Sequence, residues 1–295
     1  MIFSGIANES LETAIIKVVA FFDLFEHPLT AYEIWKNIEQ PAELSEILTV
    51  LDKLPAALGC RNGFYFLAGR EEIVTTRQKR HNYTDRKIKI ARRFTKFFQL
   101  FPSVRMIAVA NSIGQYNLRD ESDIDFFIIT APGRLWLSRL YCTGLAKLLN
   151  SRPTPQAKRD KICLSFYISD DHLDISDLRL TGADPYFDYW RRHLVLLYNK
   201  KGTYEKFLSA NGNRPAQADQ ERDKGQTARR SLMSLENLAK RLQLKIMPPA
   251  LAAAMNNSDG VVVNDSVLKL YQHDRRREFA EKYGQKINEI AEVNG

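Results

Sequence analysis

One short stretch of the chain restricts the fold more than any other: two apolar segments of strand length, joined by a polar turn and the string Asp123-Ile124-Asp125. Residues 105–110 form a short apolar run of strand length, and residues 124–130 form another that is rich in β-branched and aromatic side chains, which favour strands. Side chains alternate along a strand, so the two aspartates face the same side, about 7 Å apart along the chain. Adjacent carboxylates repel, and a divalent cation that takes oxygen ligands removes that repulsion. The pattern therefore predicts two buried strands with an acidic, metal-binding edge.

The turn before the aspartates adds groups suited to phosphate. Asn111-Ser112 follows the first strand, where a hydroxyl and backbone N–H groups can meet phosphate oxygens. The whole arrangement resembles the nucleotidyltransferase superfamily (polymerase β-like fold), whose hallmark is Gly-Ser, about ten residues, then Asp-x-Asp between two strands. The resemblance implies that Asp123 and Asp125 ligate Mg²⁺ or Mn²⁺. It also implies that Ser112 holds the β- or γ-phosphate of a nucleoside triphosphate (NTP), with Asn111 and Ser122 as further nucleotide contacts.

Two features depart from the family pattern. Asn111 replaces the usual glycine; asparagine is the next residue most tolerant of a positive φ, so the turn is expected to survive with a tighter pocket. Many active members also carry a third carboxylate on a later strand, but the corresponding residues 161–169 contain no acid. Asp170, directly after that strand, is the best candidate for this role, although loop acids are more often solvated.

The first 70 residues predict a winged-helix-like domain. Three helical patterns are followed by two short β-prone segments around the turn pair Asn62-Gly63. In such domains the third helix enters the DNA major groove, but here that helix carries several acids, including Glu43 and Glu46. DNA binding is therefore not the favoured role of this domain, and a structural or protein-contact role is.

The rest of the chain completes an α/β (α+β) organisation. Residues 71–100 predict a basic connecting helix. Its charged face is expected to be solvated surface. The alternatives are that this face contacts nucleic acid or lines the entrance to the site around Asp123 and Asp125. Residues 101–210 predict a nucleotidyltransferase-like mixed sheet flanked by helices, and 211–295 a helical C-terminal region with helices at 229–246 and 265–292. The polar stretch 202–225 predicts a linker or exposed loop, and the arginines at 275–277 an exposed helical face.

Charge and composition limit the remaining function classes. The net charge of +8 favours polyanionic partners. Cys60, Cys142 and Cys163 form no C-x-x-C pair, so zinc is not expected, and they suit small core residues in a reducing compartment. No leader or membrane-spanning segment is evident, which predicts a cytoplasmic protein.

Three functions follow as hypotheses. The leading one is transfer of a nucleoside monophosphate from an NTP to a hydroxyl of a small molecule, a protein or an RNA end, with release of pyrophosphate. The second is a nucleotide-binding or regulatory protein without catalysis, suggested by Asn111 and the missing strand acid. The third is a winged-helix regulator of transcription with a nucleotide-sensing domain.

Overall fold

The computed structural model describes residues 9–212 and 229–294. The first part of the chain forms α1 (Leu11–Asp23), α2 (Ala31–Asn37), α3 (Leu44–Asp52), β1 (Leu58–Arg61), β2 (Phe64–Leu67), α4 (Glu72–Phe98), β3 (Val104–Val109), β4 (Ile124–Thr130) and α5 (Leu135–Leu148). The second part forms β5 (Ile162–Ser169), α6 (Pro185–Arg192), β6 (Val195–Asn199), α7 (Thr203–Ala210), α8 (Arg229–Lys245), α9 (Pro249–Ala254), β7 (Val261–Val263), β8 (Val267–Leu270) and α10 (Arg276–Asn294).

A six-stranded mixed sheet in the order β6-β3-β4-β5-β8-β7 forms the centre of the fold. β4 and β5 are parallel, and the other neighbouring pairs are antiparallel. Phe126 and Ile128 of β4 pack with α4, α5 and α8 on one face, while Phe127 and Ile129 pack with α6 and α7 on the other. The expected mixed sheet flanked by helices is therefore confirmed.

The N-terminal helices and hairpin follow the sequence pattern closely. β1 and β2 pair around Asn62 and Gly63, whose φ angles of 55° and 75° provide the left-handed conformation that a tight hairpin turn requires. α1, α2 and α3 share one hydrophobic core with Tyr189 of α6 and Tyr283 of α10. The N-terminal segment is thus packed directly against helices from the later part of the chain.

Helix α4 is only partly the solvated basic surface that was expected. Lys79, Lys89, Arg92, Arg93 and Lys96 are exposed. Arg80 and Lys87, however, lie on the buried face together with Ile88 and Ala91. Among the residues that the structure describes, no helix is long and apolar enough to cross a membrane.

Three predictions for the C-terminal half were wrong. The expected helix at 265–292 begins only at Arg276, because 261–270 forms β7 and β8, whose β-branched residues pair across a short turn and join β5. The expected loop at 202–225 contains α7, while its residues 213–225 lie outside the described part of the chain. The arginine run is not uniformly exposed, since Arg276 is buried and pairs with Asp184 and Asp274.

Candidate metal centre

The start of β4 fixes the two aspartates on one face of the sheet. Ile124 and Phe126 are buried in the core on the opposite face, so the side chains of Asp123 and Asp125 must turn away from it. The backbone here is held on both sides: the Ile124 N–H donates to the Lys161 carbonyl (2.8 Å), and the Asp125 carbonyl accepts from the Ala110 N–H (3.0 Å). The sheet itself therefore positions the acidic pair.

A third potential ligand, the thiol of Cys163, completes a compact cluster. Cys163 is the register partner of Asp125 in the parallel pair β4/β5. One carboxylate oxygen of Asp123, one of Asp125 and the Cys163 sulfur all lie within 4.8 Å of one another. The prediction that Cys163 is a core residue was wrong, and Cys60 is exposed, whereas Cys142 is buried.

A β-bulge explains why Cys163 faces the aspartates. Asp125 of β4 lies opposite Cys163 of β5, and Phe127 lies opposite Phe166. Between these two pairs β4 advances by two residues and β5 by three, so β5 contains one extra residue. The extra residue leaves Cys163 and Ser165 side by side, with their sulfur and oxygen 3.1 Å apart. Neither the bulge nor its position could be read from the sequence; the only signal was that residues 161–169 were the expected place for a third ligand.

Asp170, the expected candidate for a third carboxylate, does not meet the cluster. β4 and β5 run in the same direction, so Asp170 follows the far end of β5, about 23 Å from Cys163 at roughly 3.3 Å per residue. Its electrostatic neighbours are Lys206 and Arg105.

Burial disfavours the ionised form of all three groups, and the charges of the carboxylates add to this for Asp125 and for Cys163. Burial is the largest cause that raises the pKa of Asp125, and the charge of Asp123 is the second; together they bring this pKa to about 6. Hydrogen bonds from Cys163 and Asn111 act in the opposite direction and lower the pKa. Burial also raises the pKa of Asp123, although the nearby Lys158 and Lys87 oppose this. Burial and both carboxylates raise the pKa of the Cys163 thiol well above its usual value. A bound cation would reverse these shifts, because it favours the charged form of each group.

Asn111 connects the turn to the acidic pair. Its φ of 64° is the left-handed conformation anticipated for this position. The Asn111 side-chain nitrogen Nδ2 donates to Asp125 Oδ2 at 2.5 Å, and the side-chain oxygen Oδ1 accepts from the Tyr186 hydroxyl at 3.1 Å. The expected phosphate contact and one expected nucleotide contact are engaged elsewhere: the Ser112 hydroxyl is hydrogen-bonded to the Tyr189 phenol, and the Ser122 hydroxyl donates to the Arg119 carbonyl.

Lys87 of α4 holds the segment that leads into Asp123. Its side chain is 0% exposed, and its ammonium group donates to the carbonyls of Asp120 (3.0 Å) and Ser122 (2.6 Å) and to Asp160 Oδ1 (2.9 Å). All three N–H groups are therefore satisfied. Sequence analysis missed this role, although Lys87 falls at helical spacing on the apolar stripe that contains Ala91.

An aromatic cavity of about 260 Å³ adjoins the cluster at Asn111. Its ring-bearing lining residues are Phe166, Tyr186, Phe187, Trp190, Tyr271, His273 and Phe279. Burial raises the pKa of Tyr271 well above its usual value, and the next causes are the charges of Asp125 and Cys163, so this ring lies close to the cluster. The cavity therefore offers an apolar, aromatic surface beside the charged centre.

Comparison of the chain with protein-family models, with curated proteins and with solved structures found no match.

Proposed function

We propose that this protein is a nucleotidyltransferase that transfers a nucleoside monophosphate from an NTP to an acceptor hydroxyl and releases pyrophosphate. The observation that supports this most is the pairing of Asp123 with Asp125 at the start of a central strand, beside the left-handed turn at Asn111. The same strand–turn–strand segment carries the sequence resemblance to the nucleotidyltransferase superfamily, and we assign the polymerase β-like fold to the sheet on that basis. We assign a winged-helix-like fold to α1–α3 and the β1/β2 hairpin from their order.

The donor set fits a divalent cation. Burial pushes both carboxylates towards protonation, and the charge of Asp123 adds to this at Asp125, so both gain stability when a cation lies between them. A cation held by Asp123 and Asp125, expected to be Mg²⁺ or Mn²⁺, would neutralise charge on the NTP phosphates during displacement. Asn111 keeps the Asp125 carboxylate oriented, and Lys87 keeps the segment before Asp123 in place.

The aromatic cavity suits the uncharged part of a substrate. Its walls favour a planar ring, from either the nucleotide base or the acceptor, next to Asn111. Lys269 and Arg276 at its edge are neutralised by Asp274 and Asp184, so they add little net charge. The Ser112 hydroxyl is hydrogen-bonded to the Tyr189 phenol. To bind a phosphate, this hydroxyl would have to break that hydrogen bond or bond to both groups at once.

A second candidate is a nucleotide-binding protein without turnover, which the position of Cys163 favours. A thiol whose pKa is raised well above its usual value is a poor general base at neutral pH, and the described residues place no third carboxylate in the cluster. DNA binding through α3 remains the least favoured reading, because Glu43 and Glu46 are exposed there.

The proposal is tested by thermal unfolding with each NTP plus Mg²⁺ or Mn²⁺, comparing the wild type with Asp123→Asn/Asp125→Asn. A ligand at about 100 times its dissociation constant adds roughly 2.7 kcal/mol of stability. We expect stabilisation that needs both nucleotide and metal and is lost in the double variant. Asp170→Asn/Asp171→Asn, the same chemical change at the far end of β5, is the matched control and should keep it.

Absence of any nucleotide-dependent shift would contradict both nucleotide-based functions. The two candidates are then separated by pyrophosphate release in the presence of hydroxyl acceptors. Release that requires Asp123 and Asp125 supports the transferase, whereas tight binding without release under any acceptor supports the second candidate.

A further inference from the structure

We propose that Cys163 is a metal ligand beside Asp123 and Asp125, and that this centre therefore prefers a borderline-soft divalent cation of the Zn²⁺ or Co²⁺ type to Mg²⁺. The inference rests on the proposed metal site and specifies its chemistry. It replaces the expectation, drawn from cysteine spacing alone, that zinc has no place in this chain.

The donor set carries this inference. Mg²⁺ demands oxygen ligands in an octahedral arrangement, and thiolate is not among the ligands it accepts readily. Thiolate is a preferred ligand of Zn²⁺, and three protein ligands with one open position are typical of catalytic zinc sites. Asp123, Asp125 and Cys163 supply three protein ligands of this kind.

The geometry fits such a cation. The three donor atoms lie within 4.8 Å of one another. Tetrahedral coordination with bonds of roughly 2.0–2.3 Å places ligand atoms about 3.5 Å apart, so the donors need to approach one another by no more than about 1.3 Å to reach that spacing. The aromatic cavity adjoins the cluster at Asn111, where the open position would face a substrate.

The surroundings of Cys163 are not those of a purely structural cysteine. Cys142 shows the contrast: it is 0% exposed and belongs to the apolar core. Cys163 is only partly buried and contacts polar groups, namely both carboxylates and the Ser165 hydroxyl. The β5 bulge sets it opposite Asp125 in this polar setting.

The test is titration of the metal-free wild type with Zn²⁺, Cd²⁺ and Mg²⁺ by calorimetry, with Cd²⁺ also followed through its thiolate charge-transfer absorption. The variants are Cys163→Ser, Asp123→Asn/Asp125→Asn and the matched control Cys60→Ser, which removes an exposed thiol. Circular dichroism of each metal-free variant verifies folding, and Cys163→Ala serves as a second variant if serine disturbs the strand.

We expect the wild type to bind Zn²⁺ and Cd²⁺ at least about tenfold more tightly than Mg²⁺, and Cys163→Ser to lose at least about tenfold for both while Mg²⁺ binding changes little. The charge-transfer band should disappear in Cys163→Ser and persist in Cys60→Ser. Equal affinity for Zn²⁺ and Mg²⁺, or a band that survives in Cys163→Ser, would overturn the proposal.

The outcomes separate this inference from the proposed function. Mg²⁺-dependent nucleotide binding that needs Asp123 and Asp125, without any preference for Zn²⁺, rejects the role of Cys163 and leaves the transferase intact. Zn²⁺ binding that needs Cys163, without any nucleotide binding, supports the ligand role and rejects the transferase.

Discussion

At the scale of single residues, ionisation of the Asp125 carboxyl lowers the stability of the metal-free protein. Its folded pKa of about 6 lies above the unfolded value of 3.8, so the folded state binds the proton more tightly. Stability is therefore lost as pH rises through about 6. Such a cost is expected of a carboxylate placed to bind a ligand and not to support the fold.

Asp125→Asn should consequently stabilise the metal-free protein at pH 7.5. The amide oxygen can still accept from Asn111 while the repulsion by Asp123 disappears, and we expect a gain of about 1–2 kcal/mol. At pH 4 the gain should largely vanish, because the wild-type carboxyl is then protonated. Urea unfolding in chelator at the two pH values measures both effects. A variant less stable than the wild type at pH 7.5 would show that the carboxylate supports the fold.

At the scale of elements, α4 serves the site through its buried cation. Lys87→Met removes three hydrogen bonds made by the buried ammonium group, and leaves Asp160 with the partly exposed Arg86 and, at 4.0 Å, the exposed Arg159 as its cationic partners. We expect a loss of about 2–4 kcal/mol in the free energy of unfolding. Lys89→Met, two residues away at an exposed ion pair with Asp85, should cost less than about 0.5 kcal/mol.

Chemical denaturation of the two methionine variants checks this difference. Similar stabilities for both would mean that the segment holds its shape without Lys87. Asp160→Asn added to Lys87→Met should recover part of the loss, since it removes the charge left behind.

Elements with local determinants were predictable from the sequence, and elements set by distant partners were not. The Asn62-Gly63 turn determines the β1/β2 hairpin within a few residues, and the Asp-x-Asp spacing places both aspartates on one face. β8 is a strand because it pairs with β5, where Leu268 lies opposite Tyr167, about a hundred residues away in sequence. Cys163 reaches the site through a bulge whose position depends on that same long-range packing.

At the scale of the whole molecule, the first and last helices of the described chain are packed together. Phe25 contacts Phe279 with ring centroids 5.1 Å apart, and Lys286 of α10 pairs with Asp23 of α1 at 2.7 Å. Phe279 also lines the aromatic cavity. The N-terminal helices therefore contact a helix that contributes directly to the candidate site.

This packing predicts that the N-terminal segment unfolds together with the sheet. The tryptophan fluorescence of the wild type reports Trp35 of α2 together with Trp136 and Trp190, whereas that of Trp35→Phe reports only Trp136 and Trp190. We expect the two proteins to show the same unfolding temperature by this signal. Far-ultraviolet circular dichroism should coincide with both. An earlier transition seen only when Trp35 is present would show that the N-terminal segment unfolds independently.

One buried histidine, His27, and one half-buried histidine, His193, should make the whole fold sensitive to acid. Burial lowers the pKa of His27 to about 3 and that of His193 to about 4. The unfolded chain takes up these protons near pH 6.5, so stability falls as pH drops below that value. By pH 5 the loss is about 2 kcal/mol for each histidine.

Replacement of His193 by Gln should flatten the fall in stability between pH 6.5 and 5, whereas His81→Gln, at an exposed position, should not. The two histidine variants are best compared in the Asp125→Asn background. In the wild type, protonation of Asp125 increases stability as pH falls through about 6, which opposes the effect of the histidines. An unchanged slope in His193→Gln would indicate that His193 becomes protonated within the fold.

We propose that nucleotide binds to this protein through a cation held by Asp123 and Asp125. The most direct test of this proposal is calorimetric titration with a non-hydrolysable NTP analogue, in divalent cation and in chelator. We expect binding that weakens at least about tenfold in chelator and in Asp123→Asn/Asp125→Asn, because each removes the metal or its ligands. Equal affinity with and without the cation, or in the wild type and the double variant, would contradict it.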